Sequence, residues 1–162
     1  MATMRKHAGT GGHMVLVGER KVRVERVIQA PRDMVWKAYT EPGLVARWWG
    51  RGNPLDVERM ELAPGGHWRF VEHSDGGTDG FEGRFREVRA PELLEQTFEW
   101  DGAPGHTAVT TSRFQDLGDD CTRITTDMLF LTGTDRDWMV GTGMEVGMAK
   151  SYAALEKVLA AA

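Results

Sequence analysis

Residues 67–100 read HWRFVEHSDGGTDGFEGRFREVRAPELLEQTFEW, in which three runs of alternating apolar and polar residues are separated by short turn sequences. Alternation with a period of two is the pattern of β-strands that bury one face. The intervening turns, at residues 74–77 and 89–92, are too short for a crossover between parallel strands. The stretch therefore predicts three consecutive antiparallel strands at residues 67–73, 81–88 and 93–100.

Similar patterns continue on both sides of this stretch. The flanking sequence predicts strands at residues 21–29, 55–62, 107–115 and 122–130, and two short helices at residues 31–40 and 43–48. From residue 134 to residue 160 apolar residues recur every three or four positions, which indicates a long amphipathic C-terminal helix. Together these elements predict an α+β fold in which the helix packs on one face of an antiparallel sheet of about seven strands.

The composition is that of a soluble globular protein. The chain has 162 residues, a net charge of −4 and one cysteine, Cys121. It therefore cannot form an internal disulfide, and its mild acidity argues against a nucleic-acid partner. No apolar run is long enough to span a bilayer, so we expect a cytoplasmic protein without membrane insertion. We expect residues 1–14 to be a disordered tail and residues 15–162 to form a single domain; no oligomeric state follows from the sequence.

Strand parity predicts an inner face that is rich in aromatic residues but also carries polar ones. Alternate residues of a strand share a face, and each predicted strand has one mainly apolar face, onto which Glu72, Gln96 and Ser112 also fall. Apolar walls with a few polar groups are typical of small-molecule pockets. Gly143 and Gly147 would leave further room beneath the long helix. The alternative is a plain core, in which the polar groups bond one another or lie at an open sheet edge.

Few residues suggest catalysis or metal binding. Glu72 is the candidate general acid or base if it points into an apolar cavity, and an exposed strand glutamate is the alternative. Arg26 could reach inward to a ligand carboxylate, and the alternatives are an internal salt bridge or an exposed guanidinium. His67 and His73 lie roughly 20 Å apart along an extended strand, so they cannot share a metal ion. Cys121 lies beside two acidic residues and is not predicted to be a nucleophile.

Six segments occur in an order that is recognisable. They are APRDMVWKAYT at residues 30–40, LVARWWG at 44–50, PGGHWRF at 64–70, GRFREVRAPELLEQTFEW at 83–100, TRIT at 122–125 and GMEVGM at 143–148. This set resembles the motifs of the activator-of-heat-shock-protein-90-ATPase homologue-like (AHSA-type) family, within the START-like or SRPBCC superfamily. The resemblance runs from about residue 22 to residue 159. Met148 departs from it, because the family usually has tryptophan there.

The resemblance implies a helix-grip fold, in which a curved sheet of seven antiparallel strands wraps around the long C-terminal helix. It also implies a hydrophobic cavity between the sheet and that helix, which the flexible Met148 side chain would reshape. It does not imply one activity, because the superfamily includes lipid and hormone binders, polyketide cyclases and co-chaperone domains.

We therefore expect the chain to bind a small hydrophobic or aromatic molecule in this cavity, with no metal or other cofactor. One alternative is a co-chaperone-like modulator of a chaperone ATPase, and another is a cyclase- or aromatase-like enzyme with Glu72 as its acid or base. The predicted cavity residues are Trp48, Trp49, Trp68, Phe70, Glu72, Phe81, Phe85, Gln96, Phe98, Trp100, Ser112, Met128, Phe130, Trp138, Met144 and Met148.

Overall fold

The computed structural model of the protein describes residues 13–161. In chain order its elements are β1 (His13–Val17), β2 (Lys21–Ile28), α1 (Arg32–Thr40), α2 (Pro42–Trp48), β3 (Leu55–Met60), β4 (His67–Ser74), β5 (Gly77–Arg89), β6 (Leu93–Trp100), β7 (Ala108–Gly118), β8 (Cys121–Phe130), α3 (Gly133–Gly141) and α4 (Met144–Ala160).

The strands form one curved sheet in the order β1-β2-β8-β7-β6-β5-β4-β3, and every neighbouring pair is antiparallel. Consecutive strands from β3 to β8 are joined as hairpins, as their short turns predict. The connection that the turns do not predict is the pairing of β2 with β8. This pairing joins strands from the two ends of the chain within one sheet. The predicted α+β fold with an antiparallel sheet is therefore confirmed.

The sheet has eight strands rather than seven, because β1 adds an edge strand before the predicted first one. β1 pairs with β2 from His13 to Val17, so regular structure begins two residues before the predicted start at residue 15. The remainder of the predicted tail, residues 1–12, lies outside the described residues. Val15 and Leu16 are each about half exposed. An edge strand of this kind lacks the burial that produces alternation, which is why the pattern does not reveal it.

The predicted single C-terminal helix is in fact two helices, α3 and α4. The break falls at Thr142 and Gly143, where Gly143 has a φ of +90°, in the left-handed region that glycine adopts without steric cost. The Thr142 hydroxyl donates to the Met139 carbonyl oxygen at 2.6 Å and ends α3. The apolar periodicity continues across this break, so periodicity alone predicts one helix where there are two.

A buried core joins the helices to the first and last of the long strands. Its fully buried members include Val22 and Ile28 from β2, Val35 from α1, Ile124 from β8 and Leu155 from α4. α4 also packs against α1 and α2. The C-terminal half of α4 is thereby held against the rest of the fold, and its N-terminal half extends towards the aromatic residues of β4, β5 and β6.

The Trp48 side chain ties the two short helices together. Its Nε1 donates to the Ala38 carbonyl oxygen of α1 at 2.7 Å, and its ring lies 4.6 Å from that of Tyr39. Trp36, interpreted from the sequence as a core residue, packs edge-on against Phe114 at 5.7 Å. This arrangement fixes the end of α2, so the next residue, Trp49, is presented to the inner face of the sheet.

On the outer face of the sheet, Asp127 is almost buried among three basic side chains. Arg23 donates to both of its carboxylate oxygens, at 2.8 and 3.1 Å, and the nitrogens of Lys21 and Arg113 each lie 3.8 Å away. These hydrogen bonds and charges hold the pKa of Asp127 below its ordinary value of 3.8, against the opposing effect of burial.

The folded state should therefore lose stability in acid through Asp127. Because its folded pKa is depressed, its contribution is present above the unfolded pKa and is lost as the pH falls through the folded value. We expect Asp127→Asn to lower the free energy of unfolding at neutral pH by about 1 kcal/mol, since Arg23 is itself 40% exposed. Urea denaturation between neutral pH and acid should show a shallower acid loss for this variant than for Asp75→Asn, an exposed control. Parallel curves for both variants would contradict this role.

Candidate functional site

A cavity of about 440 Å³ lies between the inner face of the sheet and the helices. Its wall is formed by α1, α2, α3 and α4 on one side and by β3 to β8 on the other. The predicted residues that lie on this wall are Trp48, Trp49, Trp68, Phe70, Glu72, Phe81, Phe85, Gln96, Phe98, Trp100, Ser112, Met128, Trp138, Met144 and Met148. Strand parity thus brings together, around one space, all but one of the predicted residues.

Trp49 is the centre of the aromatic wall. Its ring centroid lies 5.1 Å from those of Phe70 and Phe81, 6.1 Å from Trp68 and 6.5 Å from Phe98. Most of these contacts are edge-to-face, the arrangement that aromatic quadrupoles favour. The end of α2 and the strands β4, β5 and β6 are therefore joined by side chains that also face the cavity.

The helical wall is more adaptable than the aromatic one. α4 contributes Met144 and Met148, and Gly147 lies between them on the cavity wall without a side chain. Methionine side chains are flexible and adjust to irregular shapes. The break between α3 and α4 borders the cavity directly, because Gly143 is also on its wall.

A chain of hydroxyl groups supplies the uncharged polar part of the wall. The Thr126 hydroxyl lies 3.4 Å from that of Tyr152 and 3.5 Å from that of Ser112, and Tyr39 lines the same wall. Burial raises the pKa of Tyr39 well above 10 and also raises the pKa of Tyr152. Both phenols are therefore neutral at physiological pH and can donate or accept a hydrogen bond.

Glu72 lies inside the fold, so the alternative of an exposed strand glutamate is wrong. Its side chain is 2% exposed, and its Oε2 accepts from Arg51 Nε at 2.9 Å, Arg51 Nη2 at 2.8 Å and Asn53 Nδ2 at 2.7 Å. A buried carboxylate needs such partners. Arg51 and Asn53 come from the loop after α2, which this ion pair fastens to β4.

The exposed lining residues place the opening of the cavity between the loop after α2, the β4–β5 hairpin, α3 and the start of α4. The lining residues with the greatest exposure lie here, including Trp138 at 48% and the Arg51 side chain at 41%. Trp138 of α3 stacks on Trp100 of β6, with ring centroids 5.9 Å apart. Trp100 Nε1 donates to Asp79 Oδ1 at 3.0 Å. A carboxylate and two stacked indoles therefore border the opening.

A family model described as activator of Hsp90 ATPase homolog 1-like protein (AHSA1) matches residues 29–160. The chain belongs to this family. None of the curated proteins matches this AHSA1-like chain significantly. The similarity found among solved structures, at identities below 25%, concerns the fold.

Three solved structures illustrate that fold similarity. A Rhodobacter sphaeroides protein is 24% identical, with a TM-score of 0.83, over 93% of this chain and 98% of its own. An Arthrobacter aurescens protein is 22% identical, with a TM-score of 0.84, over 93% and 92%. DynU16, from the dynemicin biosynthetic locus, is 24% identical with a TM-score of 0.66 over 88% of this chain, which spans 48% of that protein.

In this AHSA1-like chain, Phe130 is the one predicted cavity residue that does not lie on the wall of the main cavity. This side chain is 4% exposed and lies beside Ala108 and His106 in a separate, much smaller pocket. Trp138 and Met139 of α3 line both spaces, as do Phe98 and Trp100 of β6. Phe130 has the parity of the inner face, but α3 covers the end of β8 and separates it from the main cavity.

Arg26 does not lie on the cavity wall, and its internal salt-bridge alternative is confirmed. Its Nη2 lies 3.0 Å from Glu156 Oε1 of α4, and its guanidinium carbon lies 5.3 Å from the centre of the Tyr152 ring. His67 and His73 bond to Glu82 and Asp56 respectively. Among residues 13–161 no group of three potential metal ligands occurs. No helix within that range is both long and apolar enough to cross a membrane.

Several lining residues are absent from the predicted set, among them Asp79, Tyr39 and Arg51, and of these three Asp79 had a detectable signal. Asp79 is two positions before Phe81 and shares its face, so extending the predicted strand by two residues would have found it. Tyr39 belongs to the apolar face of α1, where a lining residue looks like any core residue. Arg51 lies in a loop with a φ of +61°, and no periodic pattern marks such a position.

Proposed function

We propose that this AHSA1-like protein binds a small molecule with an apolar, aromatic body in the cavity between its sheet and α4. The cavity itself carries this proposal. Its volume of about 440 Å³ falls within the range of small-ligand sites, and aromatic rings and methionines make up most of its wall. The neutral hydroxyls of Ser112, Thr126 and Tyr152 would orient a ligand through hydrogen bonds, which do not require the ligand to be charged.

Binding can be tested with N-phenylnaphthylamine, a neutral fluorescent probe, and by mass spectrometry of small molecules that co-purify under native conditions. We expect the probe fluorescence to rise on binding and the tryptophan fluorescence to fall, because Trp49 and Trp68 line the cavity. Absence of both changes at saturating probe, together with no co-purifying molecule, would overturn the proposal.

A bulky side chain at position 147 should reduce probe binding. Gly147 lies on the cavity wall, and a Cβ there would meet only the flexible Arg51 side chain at 3.2 Å. We expect Gly147→Leu to weaken N-phenylnaphthylamine binding by about tenfold, or about 1.4 kcal/mol, because the new side chain occupies ligand space. Val146→Leu is the matched control, since Val146 is 61% exposed and off the wall. Equal affinities for the two variants would place the probe elsewhere.

Chaperone modulation and cyclase-like catalysis rest on the family name and on the fold. No arrangement of the described side chains favours either over binding, because the buried Glu72 is held through its Oε2 by Arg51 and Asn53. The general-acid or general-base role of Glu72 stays a prediction, and loss of turnover in Glu72→Gln with retained ligand binding would support it.

A further inference from the structure

The described cavity wall carries three charged side chains, and their charges do not cancel. Glu72 and Asp79 are acidic, and Arg51 is the one base among the lining residues. Arg51 points both Nε and Nη2 at Glu72 Oε2, so its charge is matched by that carboxylate. Asp79 is left as the uncompensated charge of the wall.

The position of Asp79 strengthens this imbalance. It is the direct cross-strand partner of Glu72 in the β4–β5 ladder, so two carboxylates are placed side by side. Like charges that are directly opposite in a sheet repel each other. Among residues 13–161 no basic side chain lies within 4.0 Å of Asp79, and its one side-chain hydrogen bond comes from Trp100 Nε1. Arg69 has the opposite parity to Glu72 on β4 and is held by Asp101 at 2.7 Å.

The surroundings of Asp79 are aromatic as well as acidic. Trp100, which donates to Asp79, stacks on the half-exposed Trp138. Phe81 follows Asp79 on the same strand face and stacks on Phe98 with centroids 5.6 Å apart. The faces of aromatic rings attract cations, and tryptophan does so most strongly. A carboxylate next to exposed indole rings therefore favours a cationic group over a neutral or anionic one.

From this arrangement we infer that the ligand carries an ammonium group next to its aromatic body and that Asp79 binds that group at the cavity opening. The inference rests on the proposed function and names the class of ligand. The ammonium donates to Asp79 and lies against the Trp100–Trp138 pair, and the aromatic body extends inward to Phe81 and Trp49. An anionic ligand would first have to displace Glu72 from Arg51 and leave that buried carboxylate without its charge partner.

Three probes that share one naphthyl body separate this inference from the proposed function. They are naphthylethylamine, which is a cation at neutral pH, naphthylethanol, which is neutral, and naphthylacetate, the anion of naphthylacetic acid. N-phenylnaphthylamine is the neutral reference, and all four are titrated by calorimetry against the full chain at neutral pH. We expect naphthylethylamine to bind about tenfold more tightly than naphthylethanol, because its ammonium forms an ion pair with Asp79 and the neutral hydroxyl can only donate a hydrogen bond, and naphthylacetate to bind most weakly.

Asp79→Asn is the decisive variant, because an asparagine can still accept the Trp100 hydrogen bond while losing the charge. It should bring the affinity of naphthylethylamine down towards that of naphthylethanol and weaken naphthylethanol binding much less, because the alcohol forms no ion pair with Asp79. Asp75→Asn, in the exposed turn of the same hairpin, should change neither. Equal binding of amine and alcohol by the unaltered chain, or tightest binding of naphthylacetate, would overturn the charge preference and leave the proposed function intact. Failure of all four probes to bind would overturn both.

Discussion

Replacing Gly83 with alanine should destabilise the fold by about 4 kcal/mol, the largest single effect that we expect. A Cβ at this position would overlap the carbonyl group of Thr97 on the neighbouring strand β6. The same carbonyl oxygen accepts a hydrogen bond from Trp68 Nε1 at 3.0 Å, and Trp68 is completely buried. The two strands can separate only by losing both the ladder and the indole hydrogen bond. Urea denaturation measures the loss directly.

Gly76→Ala is the control for this prediction. Gly76 lies in the turn between β4 and β5, where a Cβ would approach nothing closer than the Ser74 hydroxyl at 3.8 Å. Its free energy of unfolding should stay within about 0.5 kcal/mol of that of the unaltered chain. A Gly83→Ala protein as stable as Gly76→Ala would show that β5 and β6 can shift apart at no cost. A smaller loss accompanied by weaker N-phenylnaphthylamine binding would show that Trp68 moves into the cavity instead.

The hairpins were predictable from the sequence because more and less buried residues alternate along the strands, most regularly at the start of β4 and of β8. Burial of one face leaves that period in the residues themselves, as at Trp68 and Phe70. Two features leave no such trace. Because the edge strand β1 is half exposed, burial does not impose an alternating pattern on its residues. The break at Gly143 depends on one positive φ angle, which a glycine permits but does not require.

The cavity wall was predictable to the extent that it follows strand parity. Parity assigns a side chain to a face, which is why Phe98 and Met128 were placed beside the cavity. It does not say where along that face a helix covers the strand, and Phe130 is separated from the cavity by α3 for that reason. Nor does parity apply to loops, so the pairing of Arg51 with Glu72 had to come from tertiary structure.

The second large prediction concerns the ion pair between Arg51 and Glu72. Removing the arginine should cost more stability than neutralising the glutamate. Arg51→Met should cost about 2–3 kcal/mol, because it leaves the carboxylate of Glu72 buried with Asn53 as its one remaining partner, and the partial exposure of Arg51 reduces the loss. Glu72→Gln should cost about 1 kcal/mol, since the neutral amide can still accept one hydrogen bond. The double variant should lose less than the sum of the two, as expected for directly coupled groups.

The burial of the Arg51–Glu72 pair, rather than the distance between its atoms, causes this loss of stability. A second ion pair can test this explanation. Arg59 and Glu61 are 2.7 Å apart, closer than Arg51 and Glu72, yet both side chains are about half exposed. Arg59→Met should therefore cost less than about 1 kcal/mol. Equal losses for Arg59→Met and Arg51→Met would contradict the argument.

Removing Arg51 should also change ligand binding in the direction opposite to its effect on stability. Without this base, the wall keeps two carboxylates and no cation, so Arg51→Met should bind naphthylethylamine more tightly than the unaltered chain does, by about threefold or more. Naphthylethanol carries no charge and should bind with the same affinity to both. A variant that had merely lost its fold would bind both probes more weakly. Reduced stability combined with stronger binding of the amine alone can arise only if Arg51 both supports Glu72 and opposes a cation at the opening.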